Sequence, residues 1–282
     1  MINLGLIGYP LQHSLSPVLH RAALEACNLM GTYMLFPVPP SESYQLEKLL
    51  NRVRNSDLTG LNVTIPYKQT IIPYLDDLTT TARAIGAVNT IFMRQGQLIG
   101  DNTDAAGFIA DLRNIMPENI QKENHRSVFV LGGGGAASAI IYALIQEGWH
   151  VTLATRRSEN AVDIIARFSD HTSKIIKINY EVDAIRSLTP SPHLIVNATP
   201  VGMTPNIENS PWPGDIPLPR GAMIYDLVYN PRDTKFVLDG RAAGLFSKTG
   251  LGMLVEQAAL AFEIWTGCKV PREHLFTVLE EE

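Results

Sequence analysis

The chain has 282 residues, a length at which about two domains are expected. Its composition, 45% hydrophobic and 18% charged, is typical of a soluble globular protein and excludes a largely disordered chain. The net charge of −5 and the pI near 5.8 exclude a broad basic surface for nucleic acid or for an anionic membrane.

Two further features bear on where the protein works. The N-terminus lacks the basic stretch and the apolar run of a secretory signal, and no segment approaches the ~20 apolar residues of a membrane span. Cys27 and Cys268 match no metal or redox spacing and fall in helix-like apolar stretches, so we expect free, buried thiols. These features predict a cytoplasmic protein without a metal site.

The first hundred residues alternate between strands and helices. A short buried strand (4–7) precedes a helix that we expect to begin with Ser16 as N-cap and Pro17 at its first position. The next elements are a strand, an amphipathic helix and a strand over 33–38, 46–53 and 60–63. This alternation predicts a mostly parallel sheet in an α/β fold.

The second half repeats the alternation around a run of glycines. A helix is expected after Asp104, and a buried strand (127–131) leads directly into the glycines. A helix (136–148) and a strand (151–154) complete a βαβ unit. The remaining predicted elements are strands over 194–197 and 223–226, a surface loop over 211–219 and a long helix over 252–266.

The glycine run lies where a dinucleotide-binding fold needs it. Gly132, Gly134 and Ala137 fit the pattern G-x-G-x-x-A between a strand and a helix. Small residues let the backbone approach a pyrophosphate, which would lie on the free N–H groups of the helix N-terminus. The pattern alone is also typical of a tight turn, but the flanking elements favour the cofactor. The expected cofactor contacts are Gly132, Gly133, Gly134, Gly135, Ala136 and Ala137.

The end of the next strand favours NADP over NAD. NAD-binding proteins usually place an acid about 20 residues beyond the glycines, to hold the ribose 2′-hydroxyl. Here Thr155, Arg156 and Arg157 occupy that position, and the first acid is Glu159. Guanidinium groups suit a 2′-phosphate, so these three residues are predicted to contact it. The alternative is a pair of solvated surface arginines.

Two polar clusters suggest acid–base chemistry. The first contains Asn62, Thr64 and Lys68 around the rigid corner made by Pro66, and the second ends at Asp104. A lysine–aspartate pair can pass a proton while a hydride moves at the neighbouring carbon. Each residue also has a structural alternative, since Lys68 could be a solvated lysine and Asp104 a helix N-cap.

The motifs together resemble those of the shikimate dehydrogenase family, in the order of that family and over nearly the whole chain. Besides the glycine run, the matching segments are 14–17 (SLSP), 62–68 (NVTIPYK), 86–90 (GAVNT), 100–104 (GDNTD), 197–203 (NATPVGM), 225–231 (YDLVYNP) and 250–257 (GLGMLVEQ).

The resemblance implies two domains with a cleft between them. A substrate domain would comprise 1–104 and 241–282, with the C-terminal helices returning to the first part, and 105–240 would form a Rossmann NADP-binding domain. It further implies reversible, NADPH-dependent reduction of 3-dehydroshikimate to shikimate, in aromatic amino acid biosynthesis. Partners other than this small substrate, such as nucleic acid or membrane, are not expected, and the assembly would be a monomer or a homodimer.

The resemblance also implies site residues. Lys68 and Asp104 would be the catalytic pair, and which of them formally carries the proton stays open. The implied substrate contacts are Ser14, Ser16, Asn62, Thr64, Lys68, Asn89, Asp104, Tyr229 and Gln257. The further cofactor contacts that it implies are Asn197, Thr199, Val201, Gly202, Met203, Leu227, Gly250 and Met253.

Two other functions remain open. One is a quinate/shikimate dehydrogenase of the same fold that uses NAD or either cofactor. The other is a noncatalytic nucleotide-sensing protein that kept only the Rossmann half, although such a protein would be expected to lose Lys68 or Asp104.

Overall fold

The computed structural model describes residues 1–168, 174–187 and 191–281, which divide into two compact units. The first unit comprises Met1–Gly107 and Leu254–Glu282, and the second comprises Phe108–Met253. The sequence-predicted domain boundaries differ from these units, because they assign 241–253 to the first domain and 105–107 to the second. Those boundaries stay a prediction.

Each unit contains one six-stranded sheet. The strands are β1 (Ile2–Gly8), β2 (Gly31–Pro37), β3 (Gly60–Val63), β4 (Asp77–Leu78), β5 (Thr90–Arg94), β6 (Gln97–Asp101), β7 (Ser127–Leu131), β8 (His150–Thr155), β9 (Ile175–Asn179), β10 (Leu194–Asn197), β11 (Met223–Asp226) and β12 (Ser247–Thr249). The helices are α1 (Ser16–Ala26), α2 (Gln45–Arg54), α3 (Thr80–Ile85), α4 (Asp104–Ile115), α5 (Glu118–Gln121), α6 (Gly135–Gln146), α7 (Ser158–Arg167), α8 (Val182–Arg186), α9 (Lys235–Ala242), α10 (Leu251–Thr266) and α11 (Arg272–Glu280).

The sheet of the first unit has the order β2-β1-β3-β5-β6-β4. It is mostly parallel, as predicted, but β5 runs antiparallel to both β3 and β6. Strands β5 and β6 form a hairpin whose turn residues, Gln95 and Gly96, both have positive φ (53° and 78°). Such a turn matches the twist of the strands, yet Gln-Gly is not one of its usual sequence signals, and the hairpin was not predicted.

The core of the first unit lies against α2, where the predicted amphipathic pattern holds. Leu46, Leu50 and Val53 point into a cluster that also contains Leu58 and Leu61 of the neighbouring chain segment. Burial of such side chains contributes roughly 1.5–3 kcal/mol each. This packing holds β3 in place within the sheet, and several predicted site residues lie at or after the end of that strand.

The sheet of the second unit is entirely parallel, with the order β12-β11-β10-β7-β8-β9. The connection direction reverses between β7 and β10, which is the switch point where doubly wound folds bind dinucleotides. The predicted surface loop over 211–219 is partly wrong, because Trp212 is buried. Its ring packs edge-on against Phe129 at 6.0 Å, and its Nε1 donates to the carbonyl of Ile216 (2.8 Å).

The prediction of two free thiols is also wrong. Cys27 and Cys268 form a disulfide in the first unit across a sequence separation of 241, with a Cα–Cα distance of 6.4 Å. Cys27 follows α1 directly and Cys268 follows α10, so packing of these two helix ends brings the sulfurs together. Sequence spacing carried no sign of this pairing.

Two kinds of feature are absent from the part of the chain that the structure describes. Across residues 1–168, 174–187 and 191–281, no helix has both the length and the apolar character that crossing a membrane requires. Over the same ranges, no group of three or more His, Cys, Asp or Glu side chains is placed to hold a metal ion.

Candidate functional site

Polar side chains collect at one edge of the first unit's sheet. Asn62 of β3 pairs with Thr90 of β5, and Thr90 pairs with Asp101 of β6. Because β5 runs antiparallel, its first residue lies beside the last residues of β3 and β6. The segments around 62–68, 86–90 and 100–104 therefore meet at this edge.

Lys68 and Asp104 form an ion pair there. The Lys68 Nζ donates to Oδ2 of Asp104 at 2.6 Å, and the two side chains are 19% and 5% exposed. Asp104 is the first residue of α4, where a carboxylate also interacts favourably with the helix dipole. The N-cap alternative for Asp104 does not hold, since the Asn102 Oδ1 accepts from the N–H of Ala105 (3.3 Å).

Asn89 connects this pair to the rest of the edge. Its Nδ2 donates to Oδ1 of Asp104 and to Oγ1 of Thr103, both at 2.9 Å. Its Oδ1 accepts from the N–H of Thr103 (2.8 Å) and from Oγ1 of Thr90 (3.0 Å). The side chain is 2% exposed, so its amide orientation is determined by these bonds. Asn89 thus holds the Asp104 carboxylate through the oxygen that Lys68 does not contact.

Asn62 is held at both ends of its amide. Its Nδ2 donates to the Asn89 carbonyl (3.0 Å) and to Oγ1 of Thr90 (3.3 Å). Its Oδ1 accepts from the hydroxyl of Tyr33 (2.8 Å). Tyr33, Thr90 and Thr103 were not predicted as site residues. Tyr33 gave no signal in the sequence, whereas the two threonines lie within the polar motifs.

Gln257 of α10 reaches the same cluster from far along the chain. Its Oε1 lies 3.4 Å from the Asn89 Nδ2, and its own Nε2 donates to the carbonyl of Leu254 (2.9 Å). A Cβ on Gly107 would lie 2.8 Å from the backbone nitrogen of Gln257, so only glycine allows α4 and α10 to approach this closely. The structure therefore places Gln257 with Asn89 and Asp104.

The two serines at the start of α1 do not cap the helix in the way that we expect from the sequence. Ser16 is the first residue of the helix rather than its N-cap, which is Leu15, and the Ser14 Oγ accepts from the N–H of Ser16 (3.3 Å). Ser14 is half-buried and Ser16 buried. Thr64 is also half-buried, just after β3, with its N–H bonded to the Ile7 carbonyl (2.8 Å). Ser14 and Thr64 thus follow the ends of the adjacent parallel strands β1 and β3.

The side chains at this edge can transfer a proton and bind a small polar ligand. An amine and a carboxylate in direct contact can exchange a proton with a bound group. The surrounding amides and hydroxyls can pair with several hydroxyls of a small polar ligand, which would be costly to leave unpaired in a buried site.

The glycine run of the second unit fits a pyrophosphate. Gly132 has φ +123°, and a Cβ there would lie 2.7 Å from the Ala198 carbonyl oxygen. Gly134 is the exposed N-cap of α6, with open space where a Cβ would project. No described side chain caps this helix, so its first N–H groups are free to bind an anion. Of the neighbouring residues, Gly133, Gly135 and Ala136 are partly exposed and Ala137 is buried.

The arginines lie at the end of β8 beside this turn. Arg156 and Arg157 are exposed, and the Thr155 Oγ1 donates to the Arg157 carbonyl (2.7 Å), which bends the chain after the strand. Burial raises the pKa of the Tyr180 hydroxyl, and the nearby charge of Arg156 opposes that shift. Because both arginines are exposed, their guanidinium groups are available to an anion.

The side chains of Asn197 and Thr199 form hydrogen bonds with each other and with neighbouring residues of the second unit. The Asn197 Nδ2 donates to Oδ1 of Asp226 (2.8 Å) and to the Val201 carbonyl (3.2 Å), while its Oδ1 accepts from Oγ1 of Thr199 (2.6 Å). Asn197 and Asp226 are fully buried. Their side chains shape the loop after β10.

Asp226 was not predicted as a site residue. Its oxygens accept from Asn197, from the N–H of Val228 (3.0 Å) and from Oγ1 of Thr234 (2.7 Å). Burial raises the pKa of Asp226 to about 6, and these three donors oppose the shift. The signal in the sequence was the YDLVYNP motif, in which the acid is the last residue of a predicted strand.

The remaining predicted residues of the second unit lie in loops at the carboxyl edge of its sheet. A Cβ on Gly250 would lie 2.6 Å from the Leu227 carbonyl oxygen, and Gly202 has φ +89°. Burial raises the pKa of the Tyr229 hydroxyl. The loops after β10, β11 and β12, with the start of α10, carry Val201, Gly202, Met203, Leu227, Tyr229, Gly250 and Met253.

Comparison with known proteins identifies the family. The family model described as "Shikimate dehydrogenase substrate binding domain" matches residues 6–91, and "Shikimate 5'-dehydrogenase C-terminal domain" matches residues 250–275. "Shikimate dehydrogenase (NADP(+))" of Carboxydothermus hydrogenoformans is 40% identical over 267 residues, 95% of this chain and 92% of that protein. The chain belongs to the shikimate dehydrogenase family.

Solved structures of the family agree with the fold. Shikimate 5-dehydrogenase from Thermus thermophilus, in complex with NADP(H) and shikimate, superimposes with a TM-score of 0.85 at 33% identity, over 100% of this chain and 99% of that chain. Quinate dehydrogenase from Corynebacterium glutamicum, in complex with NAD, gives a TM-score of 0.86 at 27% identity, over 100% and 99%. The predicted resemblance and the predicted α/β fold class are both confirmed.

Proposed function

We propose that this protein catalyses the reversible, NADPH-dependent reduction of 3-dehydroshikimate to shikimate, in aromatic amino acid biosynthesis. The observation that supports the chemistry most directly is the contact between Lys68 Nζ and Asp104 Oδ2 among buried amides. The predicted activity, an NADP-dependent oxidoreductase acting on a CH–OH group, agrees with the name of the Carboxydothermus relative.

The substrate's carboxylate and hydroxyls bind to the polar edge of the first unit. Short amides and hydroxyls discriminate well, because a ligand that lacks a matching hydroxyl leaves buried groups unpaired. Ser14, Ser16 and Thr64 lie after the ends of β1 and β3, while Asn62 lies near the end of β3 and Asn89 directly precedes β5. Gln257 and Tyr229 complete the proposed substrate contacts.

Lys68 transfers the proton at the ring oxygen that changes between ketone and alcohol. In reduction its ammonium donates to that oxygen, and in oxidation its neutral amine accepts the proton from the hydroxyl. Asp104 orients Lys68 through the 2.6 Å contact, and Asn89 orients Asp104. The two oxygens of Asp104 are thereby held in place before substrate binds.

The second unit holds the dinucleotide. When bound, NADPH supplies the hydride. The uncapped N–H groups at the start of α6 would hold the pyrophosphate, and Arg156 with Arg157 would hold the 2′-phosphate. The buried bonds of Asn197 to Asp226 keep the loop after β10 in shape, so Asn197 acts on the cofactor site through Val201 and Thr199.

Steady-state kinetics of the purified enzyme test this proposal. We expect kcat/KM to be highest for shikimate with NADP, measured against quinate and NAD in all four combinations. A higher kcat/KM for quinate with NAD would overturn the assignment. No turnover with either acid would favour a noncatalytic nucleotide-sensing protein instead.

A second candidate is a quinate/shikimate dehydrogenase that uses NAD or both cofactors. The structural likeness to the NAD complex of Corynebacterium quinate dehydrogenase favours it. Against it, Arg156 and Arg157 occupy the place where NAD-binding folds usually carry an acid. The same kinetic comparison distinguishes the two.

Three further properties belong to the proposal. The substrate-binding domain consists of 1–104 and 241–282, and the NADP-binding domain consists of 105–240. Limited proteolysis with and without NADP tests these boundaries.

The enzyme is a monomer or a homodimer, and light scattering distinguishes the two. Its proposed location is the cytoplasm, which fractionation of cells that express the protein tests. The Cys27–Cys268 disulfide argues against this location, because disulfides are rare in that compartment.

A further inference from the structure

We propose that Tyr33 is a positioning residue for substrate binding, which holds the side-chain amide of Asn62 in the orientation that the substrate meets. The inference rests on the proposed function, because it assigns Asn62 to a substrate hydroxyl. Tyr33 lies on β2, an edge strand of the first unit's sheet, and its hydroxyl donates to the Asn62 Oδ1 at 2.8 Å.

The amide of Asn62 has one orientation that satisfies both of its ends. Its Nδ2 donates to the carbonyl oxygen of Asn89 at 3.0 Å, and a carbonyl oxygen can only accept a hydrogen bond. A flipped amide would place two acceptor oxygens against each other. The Tyr33 hydroxyl supports the same orientation from the opposite end by donating to Oδ1.

The ring of Tyr33 is itself held firmly. It stacks on His20 with ring centroids 4.2 Å apart and an interplanar angle of 5°. Trp265 and Phe262 lie near the same imidazole, with centroid distances of 5.4 and 6.2 Å. A ring stacked in this way loses little further freedom when its hydroxyl forms a bond.

His20 supplies this support without a charge. It is 1% exposed, and within the described residues neither ring nitrogen makes a hydrogen bond. Burial lowers the pKa of His20 to about 3, although the neighbouring Asn62 opposes the shift in part. The imidazole is therefore neutral near pH 7 and acts as a stacking surface.

The division of roles follows from which bonds involve Tyr33. Its hydroxyl bonds to Asn62, whereas the Lys68–Asp104 pair is held by Asn89. The proposed function assigns a substrate hydroxyl to the Asn62 amide, whose Oδ1 accepts from Tyr33 and whose Nδ2 donates to the Asn89 carbonyl. Loss of the Tyr33 hydroxyl should therefore weaken substrate binding and leave proton transfer intact.

The test is Tyr33→Phe, which keeps the stacked ring and removes the hydroxyl. We expect the KM for shikimate to rise about 3- to 10-fold, the usual worth of one hydrogen bond, with kcat changed less than about twofold. The KM for NADP should not change. A fold defect would raise both KM values and lower the melting temperature, so this split separates positioning from structural damage.

A double-mutant cycle identifies Asn62 as the residue through which Tyr33 acts. In an Asn62→Ala background, Tyr33→Phe should have no further effect on the KM for shikimate. Thr32→Val is the matched control, since it removes a neighbouring hydroxyl on β2 that also donates to an asparagine, Asn3, at 3.4 Å. We expect wild-type KM and kcat for that control.

Each outcome is informative. An unchanged KM in Tyr33→Phe, or additive effects in the cycle, would overturn the role of Tyr33 while wild-type turnover of shikimate still supported the proposed function. Absence of turnover in the wild-type enzyme would instead remove the proposed function itself.

Discussion

The Nζ of Lys68 lies 2.6 Å from Oδ2 of Asp104, although 36 residues separate them in the chain. The other oxygen of Asp104 accepts from Asn89, so the carboxylate is held on two sides in a nearly buried site. Removing one partner of such a pair leaves the other uncompensated. Substitution at this pair is therefore the most direct test of the proposed chemistry.

Lys68→Ala should reduce kcat by about 10²- to 10⁴-fold, the usual contribution of a positioned acid–base group, with a smaller change in KM. Steady-state kinetics with shikimate and NADP measure this. Lys48→Ala, at an exposed position on α2, is the control and should behave as wild type. A Lys68→Ala enzyme within about threefold of wild type would remove Lys68 from the mechanism.

Arg156→Ala should raise the KM for NADP far more than the KM for NAD, because only NADP carries the 2′-phosphate that the guanidinium would bind. Initial rates with each cofactor at saturating shikimate measure the difference. Arg167→Ala, in the last turn of α7, serves as the exposed control. Equal changes for the two cofactors would assign Arg156 to the solvated surface.

Asp226→Asn should reduce the pH dependence of stability. Burial raises the pKa of Asp226 to about 6, so the folded protein binds this proton more tightly than the unfolded chain does. Its contribution to the free energy of unfolding is therefore present at low pH and is lost as the pH rises through about 6. Between pH 5 and pH 8 the loss amounts to about 1.4 kcal/mol.

Urea unfolding of both proteins at pH 5 and pH 8 measures this difference. Asparagine can keep an acceptor toward Val228 and direct its amide toward the Thr234 hydroxyl, so the variant is expected to fold. Other titrating groups, His20 included, cancel in the comparison. An identical change with pH in the two proteins would show that Asp226 does not titrate in this range.

The disulfide should stabilise the fold. Replacing both Cys27 and Cys268 with serine, or adding a reductant to the wild type, is expected to lower the free energy of unfolding by about 2–4 kcal/mol. Thermal unfolding with and without reductant measures it. The double serine variant is its own control, because its melting temperature should not respond to reductant. A wild-type melting temperature that is also insensitive would mean that the thiols are not bonded in solution.

Much of the local structure could be predicted from the sequence. The strands over 60–63, 127–131, 194–197 and 223–226 were predicted with the bounds that the structure has. Each is a short apolar run ended by polar or glycine residues, and such runs are buried in parallel sheets. The hairpin of β5 and β6 was missed because its Gln95-Gly96 turn lacks the usual signal.

The sequence by itself determined which chemical groups the protein has and how some of them follow strands or precede helices: Lys68 comes after β3, the glycines come after β7 and Asp104 comes before a helix. Only the tertiary structure decided their partners. Asn89 as the link to Asp104, Tyr33 against Asn62, Gln257 near Asn89 and the bond of Cys27 to Cys268 all join distant segments. Propensity and periodicity describe neighbours along the chain, whereas these contacts depend on strand register and helix packing, which the whole fold determines together.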